Sequence, residues 1–190
     1  MGTRGAFGFY KNGQNKITYN HYGSYPSGLG EDLVQEIRAT NVKVLHEVFD
    51  RIQLVDKNKK PTKEQIENCK PWTNLGVSMQ SEEDWYCLLR EAQGSIEPYL
   101  KGLSYMNDSE DFMSDSLFNE WSYIMNLDDD TFEIYRGFNQ DYQENRYATK
   151  KPDRSGYYAV RHLISFPLED IPQDWQGQVH TILENEEEAI

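Results

Sequence analysis

At 190 residues, with 37% hydrophobic and 13% aromatic content, the chain is long enough to bury a core without metal or disulfide staples, and one domain spanning 1–190 is expected. Its formal charge of −13 is uneven: residues 1–100 hold 12 Lys/Arg against 13 Asp/Glu, whereas residues 101–190 hold 7 against 19. A field of one sign repels nucleic acid and anionic lipid, so direct duplex-DNA or membrane binding is not expected. The surplus serves either solubility or attraction to a basic partner.

The two cysteines, Cys69 and Cys87, lack CxxC spacing and are too few for a disulfide framework, which predicts free thiols in a reducing cytoplasm. Neither an apolar signal region nor a run long enough to span a bilayer is present. Met1-Gly2 does not extend to a myristoylation motif, because Ala6 stands where Ser or Thr is required.

In chain order, Gly5–Tyr10 and Lys16–His21 flank Asn12-Gly13, the strongest short-range hairpin signal, so an N-terminal hairpin is predicted over 5–21. The small residues Gly5, Ala6 and Gly8 let another backbone approach the first strand closely. A Gly/Pro-rich loop over 21–30 leads into a helical middle, 31–101. There Leu33, Val34, Ile37, Val44, Leu45, Val48, Phe49 and Ile52 keep helical spacing, predicting a helix over 31–52 with a weak point at Thr40-Asn41. Thr62 and Gln65 form a capping-box pattern opening a short helix, and Ser81 is the expected cap of a third, which Gly94 ends. Residues 107–115 read as an acidic loop.

The C-terminal sheet part, 119–166, opens with runs 121–127 and 131–135 around Asp128-Asp129-Asp130, a hairpin whose turn residues bond their own backbone. Residues 139–156 are polar and aperiodic, which predicts a long functional or mobile loop. A fifth strand is expected over 157–166, stopped by Pro167, and the acidic tail 184–190 reads as a frayed end. The order predicts an α+β fold with a mostly antiparallel sheet of about five strands and helices on one face.

No catalytic signature dominates. Thr3 near the chain start raises an N-terminal-nucleophile reading, but loss of Met1 exposes Gly2. His21 with Tyr19 and Arg4 offers a proton shuttle beside a cation, the minimum for RNA cleavage. The four histidines show no zinc spacing and the Asp triplet lacks the Gly and Glu of a calcium loop, so no metal and no cofactor are expected. The surface carries the stronger signal. Asp108, Glu110, Asp111, Asp115, Glu120, Asp128, Asp129, Asp130 and Glu133 fall within 26 residues free of Lys and Arg. Phe112, Trp121, Tyr123 and Tyr135 interleave with them, an acidic, aromatic-studded face suited to a basic nucleic-acid channel.

The stretches MGTRGAFGFYKNGQNKITYNHYGSYPSGLG, DWYCLLREAQGSIEPYL, EWSYIMNLDDDTFEIYRGF and YYAVRHLISFPLEDIP resemble a family of small acidic proteins carried by phages and other mobile elements. In size and charge the chain is similar to the inhibitors of type II CRISPR nucleases found among such proteins. That resemblance implies a non-catalytic anti-CRISPR protein in the bacterial host cytoplasm. Its partner would be a Cas9-type effector nuclease or its guide-RNA complex, which holds nucleic acid in a basic channel. The acids above, with Trp121 and Tyr135, are then the expected contact residues. The alternative is an enzyme, either an accessory that shortens guide RNA through His21, Tyr19 and Arg4, or an N-terminal-nucleophile-like hydrolase.

Overall fold

Alternating side chains on four adjacent strands divide the apolar residues into two sets, and this division explains the layers of the molecule. The computed structural model describes residues 2–188. Its strands are β1 (Gly5–Lys11), β2 (Gln14–Asn20), β3 (Gln53–Val55), β4 (Tyr105–Asn107), β5 (Trp121–Asn126), β6 (Thr131–Arg136) and β7 (Arg161–Pro167). Five of them form one sheet in the order β2-β1-β5-β6-β7, antiparallel throughout except where β1 pairs in parallel with β5. The helical middle lies between β2 and β5, and so long a crossover lets the chain return alongside β1 in the same direction. The fold is α+β, as the element order predicts.

Phe7, Phe9, Tyr123, Met125, Phe132 and Ile134 belong to the larger of two buried clusters, a continuous core reaching from Phe7 to Val179. Helices α1 (Glu31–Ala39), α2 (Val42–Arg51) and α6 (Trp175–Glu188) contribute to it through Leu33, Ile37, Leu45, Val48 and Trp175. Trp175 meets Phe132 edge-on at 6.4 Å. From β2, the Lys16 ammonium donates to the carbonyls of Phe49 and Ile52, both at 2.6 Å, closing the C-terminal end of α2. On the opposite set, Ala6, Ile17, Ile124 and Tyr135 pack against Met113, Val160, Phe112 and Tyr147. That second layer is made by residues 108–119 and the long loop 139–160, so helices cover one face and irregular chain the other.

Gly8 shows why β1 needs small residues: a Cβ there would lie 2.2 Å from the Lys16 carbonyl oxygen and 2.6 Å from Ile17 Cα. Asn12 and Gly13 both adopt positive φ (52° and 75°), as a tight hairpin turn of this type requires.

Several expectations change. The helix over 31–52 is two helices, because Asn41 leaves the helical region and its Oδ1 accepts the Lys43 amide at 2.8 Å, capping α2. Thr62 and Gln65 do form the capping box of α3 (Lys63–Cys69). The helix expected from Ser81 shrinks to α4 (Trp85–Leu88), capped by Asp84, and α5 (Glu97–Leu100) follows. Residues 107–115 are not a plain loop: β4 pairs with β3, and Glu110–Ser114 make a 3-10 turn. The expected frayed tail belongs to α6 as far as Glu188, while 189–190 lie outside the described residues.

Candidate functional site

The acidic stretch after β4 is positioned by backbone and amide contacts with the first hairpin. Ser109 N donates to the Ile17 carbonyl at 2.8 Å, which covers the outer edge of β2. Asn15 Nδ2 donates to Glu110 at 2.9 Å, and further along Glu120 N donates to the Arg4 carbonyl at 3.0 Å. The segment therefore runs from the β1–β2 turn to the opposite end of the sheet. At the turn it meets the other acidic group: the Asp128 carboxylate accepts the Asn12 amide at 2.9 Å and 3.1 Å, while Asp129 accepts from Asn126 Nδ2. Parallel pairing of β1 with β5 is what places both hairpin turns at one end.

Asp108, Glu110, Asp111, Asp128, Asp129 and Asp130 are exposed, and Asp115 and Glu120 partly so. Of the nine carboxylates predicted as one face, only Asp130, with His46 at 3.0 Å, and Glu133, with Arg146, have an ion-pair partner among the described residues. The arrangement is a band along one edge and end of the sheet. Glu133, Trp121 and Tyr135 are not part of it, being 6%, 5% and 2% exposed. Strand periodicity turns Glu133 and Tyr135 towards the layer formed by the long loop, where Arg146 and Tyr147 cover them. Trp121 lies in the main core beneath the Arg136 guanidinium, 4.7 Å from its ring.

Between the acidic segment and the α4 region lies a cavity of about 570 Å³, within the range of small-ligand sites. Tyr19, Phe112, Asp111 and Asp115 line one side and Tyr86, Leu89, Arg90 and Ala92 the other, with Lys57, Asn107 and Asp108 also among the lining residues. Tyr19 and Phe112 meet edge-on at 5.1 Å. Tyr86 and Arg90 share one short stretch and Lys57 comes from another far from it in sequence, with no spacing that would have singled the three out.

Tyr19 and His21 do come together, the phenol oxygen lying 2.6 Å from Nδ1. Burial raises the Tyr19 pKa more than the nearby Arg4 charge lowers it, so the phenol stays protonated at neutral pH. Arg4 stacks over Phe118 at 5.5 Å. The buried Thr3 uses its carbonyl to accept the Ser24 amide. Among the described residues no group of His, Cys, Asp and Glu is placed to hold a metal ion, and no helix is long and apolar enough to cross a membrane. No protein-family model matches the chain, and neither a curated protein nor a solved structure is significantly similar to it.

Proposed function

We propose that the protein is a non-catalytic binding protein whose acidic band engages a basic partner, and that this partner is a type II CRISPR effector nuclease or its guide-RNA complex. The observation that carries the reading is the unpaired state of Asp108, Glu110, Asp111, Asp115 and Glu120 on one continuous segment, none of them in an ion pair among the described residues. A protein that collects uncompensated carboxylates along an edge gains association rate with a cationic channel, and loses that gain in salt. The choice of nuclease comes from the sequence resemblance, and the band supports only the sign of the partner's charge.

Co-purification with a Cas9-type nuclease at low and high salt, with the recovered guide RNA run on a gel, tests this reading. Retention at low salt with intact guide is expected, reduced at least tenfold by combined Asp111→Lys, Glu120→Lys and Asp129→Lys changes and unaffected by His21→Ala. Shortened guide RNA that His21→Ala restores to full length favours the cleaving enzyme. No retention and no inhibition by a folded protein sinks the nuclease as partner.

A further inference from the structure

The cavity beside the acidic segment holds charges of both signs that do not satisfy one another. Asp111 and Asp115 stand on the wall made by the 3-10 turn, and Arg90 stands on the wall that follows α4. None of these carboxylates lies within 4.0 Å of the Arg90 guanidinium or the Lys57 ammonium, and neither cation has an ion-pair partner among the described residues. Arg90 makes only a 3.4 Å contact with Gln93 Oε1, and the Asp111 and Asp115 carboxylates accept no hydrogen bond from the described residues. Opposite charges held apart across an aromatic-walled space suit a ligand with an anion at one end, hydrogen-bond donors at the other and a flat body between.

We propose that this cavity binds a guanine mononucleotide. Tyr86, 43% exposed, and the Tyr19–Phe112 pair offer faces and edges on which a base can stack. Ionised carboxylates are acceptors only, so they match a base edge presenting adjacent donors. Guanine does so through N1–H and its exocyclic amine. Adenine sets a lone pair beside its amine and would face the carboxylates with an unpaired acceptor. Arg90 then takes the phosphate through its fork of donors. A free nucleotide is the expected form, because the −13 charge of the chain opposes a long polyanionic strand. The site shares Asp111 and Asp115 with the acidic band, so a basic partner and a nucleotide would compete for them, but nucleotide binding by the isolated chain does not rest on the nuclease proposal.

Calorimetric titration of the full chain with GMP, AMP, guanosine, inorganic phosphate, a short guanine-containing RNA and arginine amide tests it. Saturable binding of GMP is expected, with AMP, guanosine and the RNA each at least tenfold weaker. In Arg90→Gln the difference between GMP and guanosine should vanish, and in Asp111→Asn/Asp115→Asn the difference between GMP and AMP should vanish, with unchanged melting curves in both. The proposal fails if GMP gives no saturable heat at millimolar concentration or if phosphate alone binds as tightly as GMP. It fails equally if arginine amide binds and GMP does not, which would make the cavity an anchor for a cationic side chain.

Discussion

Arg146 and Glu133 form a two-pronged ion pair beneath the sheet, Nη1 to Oε2 at 2.8 Å and Nη2 to Oε1 at 2.9 Å. Asn126 Nδ2 and the Tyr135 hydroxyl donate to the same carboxylate at 2.8 Å each, and the Arg146 guanidinium lies 3.7 Å from the centre of the Tyr10 ring. Through this pair the loop 139–160 is fastened to β6. Tyr147, the next residue, adds a bond from its hydroxyl to Asn15 Oδ1 at 2.9 Å. The long polar loop is thereby a structural layer of the fold.

Removing one partner leaves the other charge buried and unmatched. Arg146→Ala or Glu133→Ala should therefore cost about 3–5 kcal/mol in denaturant unfolding. Amide exchange in 139–160 should rise well above that of β5. A paired replacement by apolar residues, Glu133→Leu with Arg146→Met, should recover more than half of the loss.

Burial pushes the Glu133 carboxyl up, but the hydrogen bonds from Arg146 and Asn126, the Arg146 charge and the Tyr135 hydroxyl together outweigh it, leaving its pKa below the ordinary value. A depressed folded-state pKa stabilises the protein above the unfolded value, and that contribution is lost as pH falls through the folded one. Wild type should thus lose stability progressively below about pH 4.5, the ordinary range for a glutamate. Glu133→Gln should show a shallower slope over the same window, read from urea midpoints at a series of pH values.

Gly8→Ala should prevent folding or leave an aggregating product, because the new methyl would overlap the backbone of β2, which cannot turn aside as a side chain can. Gly13→Ala has open space around it and a φ of 75°, so it should lose only about 1–2 kcal/mol through left-handed strain. Far-UV circular dichroism and urea titration separate the two outcomes.

Asn41→Ala should destabilise by about 1 kcal/mol through loss of the cap on α2. The substitution leaves the Lys43 amide without its side-chain acceptor, and Asn41→Asp should restore most of the stability by supplying another. Thermal melts of the three proteins decide this.

Cys69 is fully buried and burial pushes its thiol up to about 12. In the folded protein at pH 8 its alkylation by iodoacetamide should be slower than that of a free thiol by orders of magnitude, since the thiolate is the reacting form. Labelling should become fast only where urea unfolds the chain. Rapid labelling of Cys69 under native conditions would contradict the packing of Cys69 in the main core.

Local signals carried well where the physics is local. Asn12-Gly13 between aromatic runs, the Thr62–Gln65 capping box and the Asp-rich turn act within a few residues, so the sequence by itself determined both hairpins, the start of α3 and the α+β class. Tertiary structure alone decided the rest, because it turns on contacts between residues distant in the chain. Glu133 belongs by sequence to the acidic run, yet Arg146 meets it from a loop with no periodicity of its own and buries it. The parallel pairing of β1 with β5 set both hairpin turns side by side, and residues 108–115 closed a cavity against Tyr86 and Arg90. A sequence specifies such pairings through the total energy of burying one core. No single stretch contains that energy, so no single stretch announces the site.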